Sequence, residues 1–223
     1  MSKHDWYRRT EWSEVIRKEF FERLKRSRGN HNKAQYLRIQ ANYLQNSGTP
    51  ENLRAALELL DLLCFDYPVS TELAQAHFQR ADCLKGLGQT DEAIAAYRES
   101  FKAQRAFPNV HTQAPIRFGL HVVHNHLTPL YREAIQALDE LWSPSGFPID
   151  TFHEHAIRGI VANAQDDFAK ASLHARKALE AAYATQSGFR FHRFLGLVPK
   201  KVRGDPLFEE IRRIGKVSKP QER

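Results

Sequence analysis

Only two cysteines, Cys64 and Cys83, occur in the 223 residues, and both sit inside apolar helical patterns. A disulfide framework or a metal site of three or four thiolate ligands is therefore excluded, and packing has to supply the stability. No stretch approaches the 18 or so apolar residues of a membrane span. The opening residues Met1 to Arg9 carry no apolar run of the signal-peptide kind. A cytoplasmic protein with no membrane partner is the expectation. Convincing strand alternation is missing as well, and so are a glycine-rich phosphate loop, a nucleophile elbow and a His-Glu-x-x-His pattern. The adjacent carboxylates Asp139-Glu140 and Asp166-Asp167 diverge on a helix instead of converging on a substrate. No catalytic residue, no metal site and no cofactor are expected.

A recurrence of alanines followed by apolar residues is what the chain does have. Ala56-Leu57 with Leu60, Ala93-Ile94 with Tyr97, Ala134-Ile135 with Leu138, and a weaker Ala171-Ser172 with Ala175 place the alanines 37, 41 and 37 residues apart. A long, nearly regular period of this kind marks stacked units that bury one continuous core. Breakers such as Ser47-Gly48-Thr49-Pro50, Tyr67-Pro68, Gly86 to Gly88, Phe107-Pro108, Thr128-Pro129, Ser143 to Gly146 and Ser187-Gly188 separate helix-length segments. They predict eight helices in four pairs, with one more at each end. Where two helix axes come closest, a small residue lets the backbones approach while large neighbours fill the grooves on either side.

Charge is unevenly laid out. Residues 1–40 carry 11 Lys/Arg against 5 Asp/Glu, 41–104 carry 5 against 9, 105–188 carry 7 against 8, and 189–223 carry 10 against 4. Basic ends thus flank mildly acidic repeats, and such ends attract phosphates or acidic proteins. From Ser13 to Arg28 the pattern is an amphipathic helix with Trp12, Ile16, Phe20 and Leu24 on one face. Its acid-first pairs Glu14–Lys18, Glu19–Arg23 and Glu22–Arg26 suit a solvated cap. The other end helix begins at Asp205-Pro206, an N-cap with proline at the first helical position, and runs through Leu207, Ile211 and Ile214.

The segment HFQRADCLKGLGQTDEAIAAYRES, residues 77–100, resembles the tetratricopeptide repeat through Ala81, Leu84, Gly88, Ala93 and Tyr97. Other units keep part of the pattern: Ala41, Ala56, Leu60 and Pro68 in the first; Tyr131 to Ile135 and Leu138 in the third; Gly159, Phe168, Ala171 and Ala178 in the fourth. The resemblance implies an all-α, right-handed superhelical solenoid of helix-turn-helix units. Four degenerate repeats would cover residues 31–186, with a capping segment over 1–30 and a basic, aromatic tail with a closing helix over 187–223. It also implies that the first helix of each pair lines a concave groove. The groove candidates are Gln35, Arg38, Asn42 and Gln45 in the first repeat, and Gln75, Phe78, Asp82 and Lys85 in the second. In the fourth they are His153, Ala156, Ile160 and Asn163. Arg38, Asn42 and Gln79 stand near the positions at which chaperone-binding members grip a peptide carboxylate, although a plain polar groove face is the expectation here.

Two further clusters stand out. His121 and His124 lie three apart and His153 and His155 two apart, which suits packed or groove-lining histidines better than a metal set. In residues 187–206, Phe189, Phe191 and Phe194 interleave with Arg190, His192, Arg193, Lys200, Lys201 and Arg203. The pattern fits a tail laid over the last repeat with phenylalanines inward and arginines outward. A single-stranded nucleic-acid surface is its alternative. The function expected is a non-catalytic scaffold for a protein or peptide partner, bound by the groove or the basic ends. Nucleic-acid binding through those ends is the first alternative, and a dedicated inhibitor or immunity-type protein that masks one enzyme is the second.

Overall fold

A computed structural model describes residues 5–216. It contains ten α-helices and no strand among the described residues. The helices are α1 (Glu14–Arg26), α2 (Asn30–Gln45), α3 (Pro50–Asp66), α4 (Ser70–Gly86), α5 (Thr90–Ala106), α6 (Ala114–His124), α7 (Tyr131–Leu141), α8 (Pro148–Ala164), α9 (Phe168–Tyr183) and α10 (Pro206–Lys216). The chain divides into two compact units, Met1–Ala114 and Pro115–Arg223.

Local chemistry sets the helix ends. Thr49 caps α3 by accepting from the Asn52 amide, and Pro50 opens it with a preset φ. Asp205 does the same for α10, its carboxylate accepting from the Leu207 amide at 2.9 Å ahead of Pro206. Between α4 and α5 the turn runs through Gly88 at φ +77, a left-handed conformation that glycine adopts without strain. That turn lets the Gln89 amide reach back to the Leu84 carbonyl and close the end of α4.

The alanine recurrence marks the core as expected. Ala56, Ala93 and Ala134 are fully buried and Ala171 is nearly so, and the residue four places on (Leu60, Tyr97, Leu138, Ala175) is buried with each. In the first unit α2 packs on α3, α3 on α4 and α4 on α5. The Ser100 hydroxyl on α5 donates to the Ala74 carbonyl on α4, and the Tyr97 hydroxyl reaches Asp82, so hydrogen bonds as well as packing tie that pair. The amphipathic face of α1 buries Phe20 and Leu24 in the same core, and its Glu19–Arg23 pair forms at 2.8 Å. Ahead of α1, Trp6 and Tyr7 stack with Tyr36 of α2, and Gln40 of α2 holds the Arg9 backbone through both its N–H and its C=O.

In the second unit α8 packs on α9, and α10 covers both. The crossing of α8 with α9 is close because three small residues meet there. A side chain at Gly159 would lie 3.5 Å from the Ala171 carbonyl and the Ala175 amide. On its other side α8 meets α6, where Gly119 faces Ile157. Phe168, one of the positions shared with the tetratricopeptide pattern, is instead 56% exposed at the start of α9.

Candidate functional site

Two of the expected groove helices, α2 and α4, lie side by side, and their polar residues meet in register. Arg38 of α2 forms an ion pair with Glu72 of α4, whose carboxylate is buried. One turn further along, the Gln79 amide donates to Asn42 Oδ1 at 3.0 Å. Asn42 and Gln79 are 37 residues apart, the spacing of Ala56 and Ala93, so they hold equivalent places on α2 and α4. Below them Asp82 accepts from Lys85 at 2.9 Å and from the Tyr97 hydroxyl at 3.0 Å. Gln35 and Gln75 are half-buried on the same two helices.

Donors and acceptors do not balance along this face. The side-chain carbonyls of Gln45 and Gln79 are shielded from solvent and have no hydrogen-bond partner among the described residues. Leaving such an oxygen unpaired costs about 1–3 kcal/mol. The face also carries a guanidinium already neutralised by Glu72 and an Asn42 side chain already engaged by Gln79. A carboxylate grip on a peptide end is thus pre-empted, because the chain's own Glu72 sits on Arg38 and its own Gln79 occupies Asn42.

Burial sorts the groove candidates. Phe78 is 9% exposed, with its ring 6.4 Å from that of Tyr97, and so belongs to the core. On α8, Ala156 and Ile160 are buried too, which leaves His153 and Asn163 as the half-buried polar positions. Burial drives the His153 imidazole down to about 4, against the opposing pull of Asp150; Arg117 and His124 push the same way as burial and Asp205 resists. Glu72 escaped the sequence reading although the face of Gln75, Phe78 and Asp82 passes through it three residues earlier.

The histidines sort into separate settings. His121 contacts Asn125, and His124 lies against its own Leu120 carbonyl with Nε2 3.6 Å from Asp205. His155 of α8 meets His174 of α9, a partner that no sequence spacing announced, with the Nδ1 atoms 3.0 Å apart. Among the described residues no group of three or more His, Cys, Asp and Glu converges as a metal set. Between α3 and α4, Cys64 Sγ lies 3.9 Å from His77 Nδ1, with Arg80 3.5 Å from the same nitrogen and 2.7 Å from Asp61. Burial raises the Cys64 thiol to about 11 and, together with Arg80, lowers His77. Cys83 is raised to about 12 for the same reason. Both thiols stay protonated, the opposite of what a nucleophile needs.

The tail after α9 overturns the expected arrangement. Phe191 is 83% exposed, Phe194 77% and Leu195 55%, while Phe189 alone finds a ring partner, Phe147, at 4.8 Å. The reason is a short loop that bonds to itself. The Ser187 amide donates to the Arg193 carbonyl and its hydroxyl to the His192 carbonyl, both at 2.6 Å, which turns the residues between them outward. Arg190, His192, Arg193, Lys200 and Lys201 are exposed, whereas Arg203 is held by the Ala182 carbonyl and covers the Tyr183 ring. Comparison with protein-family models, with curated proteins and with solved structures finds no match for the chain.

Proposed function

We propose that the chain is a non-catalytic, cytoplasmic interaction module whose helix pairs stack as a right-handed, tetratricopeptide-like solenoid. Its partner is a peptide or protein held on the face of α2 and α4. The row of half-buried polar side chains that α2 and α4 present together, Gln35 and Arg38 beside Gln75 and Lys85, carries this reading. A bound segment meets Gln35, Gln75 and Lys85 with its backbone N–H and C=O groups. The protonated thiols of Cys64 and Cys83 support the non-catalytic part.

Affinity purification with wild-type protein, repeated with the triple variant Gln35→Ala, Gln45→Ala and Gln75→Ala, tests the site. These positions lie outside the Arg38–Glu72 pair, so the melting temperature is expected to hold while the captured partner is lost. Undiminished capture by the triple variant would remove the face from consideration.

A further inference from the structure

The loop over residues 187–199 presents apolar side chains to solvent and holds them there. Besides the Ser187 bonds, the His192 amide bonds to Phe189 and the Leu195 amide to His192. The Gly196 carbonyl accepts from the Ile149 amide at 2.8 Å, which fastens the loop to the start of α8. Phe147 stacks on Phe189 and covers Gly196. Exposure of Phe191, Phe194 and Leu195 is thus built into a braced loop, and three large apolar groups within five residues are more than scattered surface hydrophobics.

Charge along this stretch of the chain is of one sign. Between Glu180 and Asp205 the chain has five Lys/Arg and no Asp or Glu. With Arg203 engaged by Ala182, four exposed cations remain in this stretch, Arg190 and Arg193 within the loop and Lys200 and Lys201 just after it. Arg190 already covers one face of the Phe191 ring, 5.3 Å from its centroid. A nucleic-acid strand draws on free aromatic faces, and Leu195 offers none. A bilayer asks only for projecting apolar groups with cations at the level of the phosphates. No described helix is long and apolar enough to cross a membrane, so such contact is confined to the surface.

We propose that this loop docks the protein on anionic lipid bilayers, with Phe191, Phe194 and Leu195 entering the interface and Arg190, Arg193, Lys200 and Lys201 meeting the lipid phosphates. The site is independent of the α2 and α4 face. Co-sedimentation with vesicles of equimolar phosphatidylcholine and phosphatidylglycerol tests it, beside pure phosphatidylcholine vesicles and a single-stranded oligonucleotide. Expected is binding to the anionic vesicles that weakens as salt rises, drops about tenfold for each phenylalanine replaced in Phe191→Ala and Phe194→Ala, and is weak on pure phosphatidylcholine. Both substitutions are at exposed positions, so an unchanged melt is the accompanying control. Failure to sediment at low salt, or sedimentation undiminished in the double variant, overturns the proposal. So does binding of the oligonucleotide alone, lost in the same variant, which would assign the loop to nucleic acid.

Discussion

Nδ1 of His155 on α8 and Nδ1 of His174 on α9 lie 3.0 Å apart, a separation at which one ring donates its proton to the lone pair of the other. Both rings can then be neutral but not both charged. Burial lowers both, His174 to about 4, and Arg158 of α8 and Lys177 of α9 add to the effect while Glu154 opposes it. His153, on the same helix as His155, is lowered to about 4 as well.

Acid sensitivity follows with a definite sign. His153 and His174 take up protons near 6.5 when unfolded and only near 4 when folded, and His155 is shifted in the same direction, so the unfolded chain binds more protons across that window. Their contribution is complete above pH 6.5 and is lost as pH falls toward 4. For His153, the more buried, the loss is about 3 kcal/mol; the half-exposed His174 contributes less because solvent screens it. Urea unfolding between pH 7 and 4 should show this decline, and His153→Phe should flatten it. A midpoint independent of pH over that range would contradict the placement of all three rings.

Removing Arg38 should cost more than removing an ordinary surface cation. Glu72 is 7% exposed, and Arg38→Ala leaves its carboxylate buried without the guanidinium. A fully buried pair broken on one side loses about 3–5 kcal/mol; with Arg38 a quarter exposed, about 2 kcal/mol is expected. Arg38→Met combined with Glu72→Leu should recover most of it, since an apolar pair needs no desolvation. Chemical denaturation of the two variants beside wild type measures this, and equal loss in the single and double variants would show that packing and not charge is at stake.

The helical core was legible because its signal is short-ranged and periodic. Ala56, Ala93, Ala134 and Ala171 mark helix crossings wherever a small residue recurs beside large ones, and each is buried. The polar face of α2 and α4 was half legible. Its residues follow from counting along each helix, but pairing Arg38 with Glu72 depends on how far one helix slides along the next, and burial of Phe78 depends on Tyr97 lying across from it. In the tail, the alternation of Phe189, Phe191 and Phe194 with arginines suggested an inward apolar edge. Bonds from Ser187 to His192 and Arg193 turn the chain too tightly for that, and such a turn leaves no mark in hydrophobic spacing.

Ala93→Leu is expected to lower the melting temperature. Ala93 is fully buried at the α4–α5 packing, and three added carbons there overpack it at a cost of about 1–3 kcal/mol. That corresponds to a fall of several degrees in a chain of this size. Ala95→Leu, two residues on and exposed on the same helix, is the control and should change little. A melt of Ala93→Leu equal to that of the control would remove Ala93 from the crossing.

Gly196→Ala should release the loop that carries the exposed phenylalanines. Gly196 has φ +72, a left-handed conformation costing other residues about 1–2 kcal/mol. An added methyl would also lie 2.4–2.7 Å from Cδ1, Cγ and Cβ of Phe147, so the ring has to leave its place. Phe147 stacks on Phe189, and the Gly196 carbonyl holds the Ile149 amide, so both braces of the loop fail together. Limited trypsin digestion read by mass spectrometry should show faster cleavage after Arg190 and Arg193, with little change in overall melting because the α8–α9 packing lies elsewhere. Phe191→Ala, which alters an exposed ring and no brace, should be cut at the wild-type rate. Equal rates for Gly196→Ala and wild type would mean that the loop is not braced through Phe147, and the outward presentation of Phe191 and Phe194 would then lack its structural cause.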